Sequence, residues 1–382
     1  MSKWEEKRLE DIIDVNPSVK LTKGISYPFI DIDKVSSAYR SVTNEEVKTY
    51  DGQSSSKFCD GDTVFSRITP CLENRKIAKV SIDGDVAFGS TEFYVFRAKE
   101  KKADARFIYY LASSDIVVLP AINSMTGASG RQRADKRFIK RLKLNLPDFR
   151  TQERIADILS AYDDLIEANN RRIKLLEQIA QELYQEWFVR FRFPGYEGVK
   201  FINGLPKGWR YGKFKNELNY ITGKLDSNAA VPDGEYCFYT CAKTVYKTNS
   251  FCFDGECVLL GGNNATGDFS LFYANEKLDA YQRTYIVTPQ NTLLSCAYIY
   301  FVLKDYLLQF KTASIGATTK FLTKGMLDKA KIVVPDKQII LQYNRVTKNM
   351  FEQIVSLKKG NENLAVQRDM LLPRLMSGKL EV

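Results

Sequence analysis

The sequence predicts an α+β protein made of two copies of one α/β module, each followed by a long helix. Three observations predict it. The hexapeptide Lys143-Leu144-Asn145-Leu146-Pro147-Asp148 returns as Lys331-Ile332-Val333-Val334-Pro335-Asp336, and Pro147 to Pro335 is an offset of 188 residues. After each Pro-Asp pair, apolar residues recur at alternating spacings of three and four, and the same offset pairs Ile166 with Ile354, Leu176 with Leu364 and Leu183 with Leu371. Before each pair lie short β-rich runs broken by turn residues. Self-similarity at a fixed domain-sized period is the mark of a duplicated unit.

Taken in order, the first module opens at Trp4 and offers strands at Tyr27-Pro28-Phe29-Ile30-Asp31, Gly61-Asp62-Thr63-Val64-Phe65 and Glu92-Phe93-Tyr94-Val95-Phe96. A segment with helical spacing follows, from about Ala105 to Val118. The first seam reads Ile155, Leu159, Tyr162, Ile166, Asn169, Ile173, Leu176, Ala180, Leu183, Trp187, the pattern of a coiled coil. A helix from about Thr151 to Arg190 would be ~60 Å long at 1.5 Å per residue. Pro/Gly clusters at Phe193-Pro194-Gly195 and Gly204-Leu205-Pro206-Lys207-Gly208 end it.

The second module opens at Trp209, with strands at Tyr236–Thr240, Gly255–Leu259 and Arg283–Val287 and a helical segment from Cys296 to Phe310. Its seam is Met350, Ile354, Leu357, Asn361, Leu364, Arg368, Leu371, Leu375, with Gly360 weakening the helix and Pro373 expected to end it. The division is therefore 1–147, a first module; 148–193, a helix; 194–335, a second module with its opening loop 194–208; and 336–382, a helix and tail. A folded module between the helices leaves room for the chain to return, so the two seams are expected to bury each other antiparallel. Asn169 and Asn361 on the apolar stripe would fix their register.

Composition limits the chemistry. Among 382 residues there is no histidine, which excludes His-based nucleophile activation, His general bases and His-ligated metals. A formal charge of +10 points to a polyanionic partner. No apolar run is long enough to span a bilayer and the N-terminus carries no signal-type core, so no membrane partner and a cytoplasmic location are expected; the seven cysteines then read as reduced thiols. There is no Gly-x-x-x-x-Gly-Lys-Ser/Thr phosphate loop and no dinucleotide-binding glycine fingerprint.

Candidate contact residues gather in loops. Ser66 and Arg67 follow one strand, with Asn74 and Arg75 shortly after; Gly127-Ala128-Ser129-Gly130 leads into Arg131 and Arg133. Arginine suits guanine and asparagine suits adenine in the major groove, while a tight glycine loop lets backbone amides approach phosphate. The second module offers Asn263 and Asn264 after Gly261-Gly262, and Thr318, Thr319 and Lys320 after Ser314-Ile315-Gly316-Ala317. The bland reading of each is turn chemistry. Arg131, Arg133, Lys136, Arg137, Lys140, Arg141 and Lys143 against the single acid Asp135 fit a phosphate-tracking strip or a solvated face. Cys237, Cys241, Cys252 and Cys257 lack the tight paired spacing of a zinc site and read as small hydrophobes. Asp60, Asp62 and Glu92 are the carboxylates a metal-dependent nuclease would need, without the lysine-containing motif beside them.

The whole chain resembles the specificity subunit of type I restriction-modification systems. The likeness rests on the repeated Pro-Asp step at Pro147 and Pro335, on Leu183-Tyr184-Gln185-Glu186-Trp187-Phe188-Val189 leading to Gly204-Leu205-Pro206-Lys207-Gly208-Trp209, and on the tail Leu371-Leu372-Pro373-Arg374-Leu375-Met376-Ser377-Gly378-Lys379. Gly61-Asp62-Thr63-Val64-Phe65-Ser66-Arg67 is similar to that family's first target recognition domain, whereas Leu260-Gly261-Gly262 departs from it. The resemblance implies two target recognition domains separated by two long antiparallel coiled-coil helices, each domain reading half of a bipartite double-stranded DNA target. It implies that the helices set the unread spacing and dock methyltransferase subunits, with Leu159, Tyr162, Ile166, Ile173, Leu176, Leu183, Trp187, Ile354, Leu357, Leu364, Leu371 and Leu375 as seam and partner contacts. It also implies a restriction/translocase partner and no cofactor in this chain, with S-adenosylmethionine, ATP and Mg²⁺ on the partner subunits. A coiled-coil scaffold that binds proteins without DNA specificity is the alternative.

Overall fold

The protein is described from a computed structural model covering residues 4–36, 39–43, 46–128, 130–314 and 318–382. Two compact units emerge, residues 1–170 with 360–382, and residues 171–359. Each holds one module and a stretch of both long helices.

In the first unit, Trp4–Arg8 pairs antiparallel with Lys143–Pro147, Trp4 lying opposite Pro147. The segment before the first Pro-Asp step is thus a strand that returns the module to its own beginning. A five-stranded sheet runs in the order Ile13–Val15, Phe93–Ala98, Thr63–Ser66, Ile77–Ser81, Ser41–Thr43. A four-stranded sheet runs Glu46–Tyr50, Ile25–Ile30, Val86–Gly89, Ser56–Cys59. The expected helix around Ala105–Val118 is two helices, Ala105–Ser113 and Asp115–Asn123, broken at Ser114. Asp104 caps the first of them by accepting from the Arg106 and Phe107 amides, satisfying donors that an N-terminus leaves orphaned.

The second unit repeats the plan. Arg210–Lys213 pairs with Lys331–Val334, again closing the module just before its Pro-Asp step. Six strands follow in the order Leu218–Thr222, Thr284–Pro289, Phe253–Gly261, Leu271–Ala280, Tyr236–Tyr239, Tyr246–Thr248. The helix Cys296–Ala313, capped by Ser295, shares a core with them through Ile299, Phe301 and Val258.

The Pro-Asp step has a local cause. Proline ends the strand, and the next carboxylate caps a helix: Asp148 accepts from the Thr151 amide at 2.9 Å and Asp336 from the Gln338 amide at 2.8 Å. The helices are Phe149–Tyr184, continuing as a π-turn over Gln185–Val189, and Lys337–Met376. Within the first unit Asp163 pairs with Arg368 and Asn169 with Asn361, so advancing along one helix means retreating along the other. Within the second, Arg172 donates to Gln353 and the Trp187 ring lies 6.0 Å from that of Tyr343, the same antiparallel sense. Asn169 donates to the Asn361 side-chain oxygen at 2.8 Å, and Asn361 in turn donates to Asn170 at 2.9 Å, which lets polar groups occupy the seam.

Pro373 does not end the second helix, which runs through it and through Gly360 to Met376. Proline inside a helix costs one hydrogen bond and crowds the carbonyl four residues back, so something must hold the last turn. Burial of Leu375 and Met376 beside Ile155 and Leu159 holds that turn in place. The tail then meets Trp4, and a Cβ on Gly378 would come within 2.9 Å of the indole, so only glycine fits there. No single helix among the described residues is long and apolar enough to cross a membrane.

Candidate nucleic-acid interface

One crossing of loops recurs in both modules, and backbone hydrogen bonds define it. In the first, the Ala134 amide donates to the Arg67 carbonyl at 2.8 Å and the Arg67 amide to the Glu92 carbonyl at 2.9 Å. The Tyr94 hydroxyl donates to the Ala134 carbonyl at 2.8 Å. In the second, the Leu322 amide donates to the Gly262 carbonyl at 2.9 Å and the Gly262 amide to the Arg283 carbonyl at 2.7 Å. There the Tyr285 hydroxyl donates to the Leu322 carbonyl at 3.0 Å. Bond for bond, Arg67 corresponds to Gly262, Glu92 to Arg283, Arg133 to Phe321, and Ile68 to Asn263.

The side chains on this shared frame are chemically opposed. In the first module Glu92 stands between two arginines: Arg133 binds it through two nitrogens at 3.0 and 2.6 Å, and Arg67 Nε at 3.2 Å. Hydrogen bonds from Arg133, and then from Arg67, hold the Glu92 carboxyl below the usual carboxylate range despite its partial burial. It therefore stays ionised at neutral pH and keeps both guanidiniums in place. In the second module the acid is replaced by Arg283, whose guanidinium lies 5.0 Å over the Phe321 ring. No ion pair is recorded for Arg283 among the described residues. A Cβ on Gly262 would lie 2.3 Å from the Arg283 carbonyl oxygen, so an arginine cannot stand there as it does at position 67.

Several expected contact residues fall on this frame. Arg67 and Arg133 belong to it, and Thr69 joins the loops through Gln132, its amide donating to the Gln132 carbonyl at 3.0 Å. Gly127 and Gly130 adopt positive φ in the turn between Thr126 and Arg133, and Arg131 is exposed. Ser129 lies outside the described residues. In the second module Asn263 and Asn264 pair with Phe321 and Lys320, and Thr318 and Thr319 precede them in exposed or half-exposed positions.

Others are taken up by the scaffold. Ser66 is fully buried and donates to the Lys76 carbonyl, which removes it from any contact surface. Arg75, with φ of 52°, ion-pairs with Asp115 and donates to the Ser113 carbonyl at 3.0 Å, tying its turn to the helices; Asn74 beside it is exposed. Asn264 spends its side-chain oxygen on the Thr266 amide and hydroxyl at 2.8 Å and on the Asp268 amide at 3.2 Å, so it lacks the free acceptor that two-point recognition of adenine needs.

The basic strip is divided in the same way. Lys140 and Lys143 bind Glu10 and Glu6, while Arg131, Lys136, Arg137 and Arg141 have no ion-pair partner among the described residues. Asp62 is clamped by Arg97 at 2.6 Å and Asp60 accepts from the Ile82 amide at 3.0 Å, so the carboxylates considered for a nuclease each serve a separate structural partner. Burial pushes the Cys237 thiol up to about 11 and the Cys257 thiol up to about 12, against any thiolate role. No group of three or more His, Cys, Asp or Glu among the described residues is placed to hold a metal ion.

The helix seam turns inward. Leu159, Ile166, Ile173, Trp187, Ile354 and Leu375 are buried, and Tyr162, Leu176, Leu183, Leu357, Leu364 and Leu371 partly so. Apolar side chains left exposed on the helices are different ones and include Leu165, Leu175, Ile179, Val366 and Met370. Sequence reasoning missed the roles of Glu92, Arg283 and Phe321. The signal was available in the paired tyrosines, since Tyr94 and Tyr285 each stand two residues after the position where the charge inverts.

Comparison with known proteins places this architecture. The family described as type I restriction modification DNA specificity domain matches residues 1–178. The EcoDI specificity subunit of Escherichia coli is 36% identical over 34% of this chain, a match that spans only 28% of that relative. The MjaIX specificity subunit of Methanocaldococcus jannaschii is 24% identical over 99% of this chain and 94% of its own length. The crystal structure of a type I restriction-modification S subunit from M. genitalium shares the fold with a TM-score of 0.59 and 15% identity, covering 98% of this chain and 96% of that one. With the duplicated module, the paired helices and the recurring loop frame, these likenesses lead to one conclusion: residues 1–178 match the type I restriction modification DNA specificity domain, and over its whole length the chain is similar to the specificity subunits of type I restriction enzymes and shares the fold of an S subunit.

Proposed function

We propose that this chain directs a type I restriction-modification complex to a bipartite double-stranded DNA target. Residues 1–147 and 194–335 would act as target recognition domains, one per half-site. The helices within 148–193 and 336–382 would fix the number of unread base pairs and, through exposed apolar positions such as Leu175 and Ile179, dock methyltransferase subunits. A restriction/translocase subunit would complete the assembly in the cytoplasm, with S-adenosylmethionine, ATP and Mg²⁺ held by the partners. The observation that carries this reading is the loop frame, which repeats bond for bond while its side chains differ in charge. A duplicated structural element would have no reason to keep the frame and invert its surface. Two readers of different sequences would.

Salt titration of affinity for duplex DNA checks it. Each phosphate neutralised adds about 0.9 to the negative slope of log K against log salt. With four unpaired bases in the strip of the first module alone, a slope steeper than about −3 is expected. A slope near zero would favour the protein-binding scaffold instead.

A further inference from the structure

We propose that Arg283, braced on Phe321, reads a guanine in the half-site recognised by the second module. This rests on the function proposed above and names the base chemistry of that site. Four observations lead to it. Arg283 occupies the place that Glu92 holds in the first module, as the matching backbone bonds of Gly262 and Arg67 establish. Its side chain is exposed and its guanidinium has no carboxylate partner among the described residues, whereas Arg67 and Arg133 are both bound to Glu92. Stacking on Phe321 at 5.0 Å holds the guanidinium over the ring face and limits its rotamers, so less entropy is lost when its donors are used. Glycine at position 262 leaves no side chain where the first module carries Arg67, and a Cβ there would meet the Arg283 carbonyl oxygen at 2.3 Å.

A planar guanidinium presents parallel donors that match the O6 and N7 acceptors of guanine, the commonest specific contact in the major groove. Lysine, a point charge, keeps attraction to phosphate but loses that two-point match. The neighbouring Lys320 and exposed Thr318 supply phosphate and hydroxyl contacts that would hold the loop against the backbone without reading sequence. Arg283 thus becomes the base-reading group of this module and Phe321 its positioning residue.

The test is selection from a randomised duplex library by the full chain and by its Arg283→Ala and Arg283→Lys variants, followed by sequencing of the bound DNA. The wild-type chain should return a split motif with a guanine in one half. Arg283→Ala should lower the preference for that guanine about 5- to 150-fold and leave the other half unchanged. Arg283→Lys should keep overall affinity and lose the same preference. An unchanged motif in both variants, or a uniform loss of affinity with every preference intact, overturns the assignment. If Arg283→Ala loses both halves through misfolding, Arg283→Lys decides: retained preference refutes the role and loss at one position supports it. A wild-type chain that selects no split motif sinks the bipartite function and this role together, whereas a split motif indifferent to Arg283 sinks the role alone.

Discussion

Replacing Asp163 with alanine is expected to destabilise the first unit by about 2–4 kcal/mol, because it leaves the half-buried Arg368 guanidinium and the buried Tyr110 hydroxyl without their shared acceptor. Asp163 is 3% exposed and accepts from the Arg368 guanidinium and from the Tyr110 hydroxyl, each at 2.5 Å. Burial, and after it the Asp163 charge, pushes the Tyr110 phenol well above its ordinary range, so the hydroxyl stays a donor. Nearby, Arg40 joins the module to the helix by donating to Asp164 at 2.6 Å and to Glu167 at 3.4 Å. The alanine variant leaves Arg368 on the helix seam with, among the described residues, the exposed Asp369 alone to neutralise it. Denaturant unfolding of the full chain measures the loss. Changing both Asp163 and Arg368 to leucine should recover much of it, since an apolar pair of similar volume avoids the desolvation penalty. A single-variant cost under about 1 kcal/mol would show that the pair is not shielded as described.

Trp209→Ala should cost the second unit a comparable amount, about 3–5 kcal/mol, by removing a large buried ring. Trp209 stacks on Phe193 at 5.0 Å and touches Phe191 and Phe188 with ring centres at 5.7 and 5.8 Å. Those three residues belong to the segment leaving the first long helix, so the ring pins the connection as well as filling the core. Loss should appear both in the unfolding midpoint and as faster protease cleavage near Gly195 and Gly198. Ile202→Ala, in the same segment but exposed, should change stability by no more than about 0.5 kcal/mol. Equal effects of the two substitutions would contradict the packing described.

Much of this architecture was legible because it rests on period and on punctuation. A spacing of three and four over ten positions fixes a helix face whatever surrounds it. The repeated Pro-Asp step encodes the end of a strand and the cap of a helix in two adjacent residues. The continuation of the second helix past Pro373 was not legible, since it depends on Leu375 and Met376 finding a core built from distant parts of the chain. The break at Ser114 was hidden for a related reason: both flanking segments are apolar enough to be buried, and periodicity alone cannot separate one helix from two.

The proposed reading surface was legible only in its loops. Residue type and glycine content singled out Arg67, Arg133 and the turn at Gly127, and the structure brings these to one crossing. Ser66 and Asn264 were misjudged because a hydroxyl or an amide that binds its own backbone looks the same in a sequence as one facing solvent. Phe321 escaped notice because it lies far from the Gly261-Gly262 departure, and Arg283, although it opens the strand that answers Glu92–Phe96, was read only as the start of a strand. Strand register, Leu260 opposite Tyr285 as Phe65 is opposite Tyr94, sets Gly262 against Arg67.

The most direct measurement exchanges Trp209 to Val333 for the equivalent region of a relative and determines, by sequencing methylated DNA, the target used in cells that carry the chain and its methyltransferase partners. Two independent reading modules predict a new sequence in one half of the split target, with the other half retained. A change in both halves, or in neither, would contradict that account.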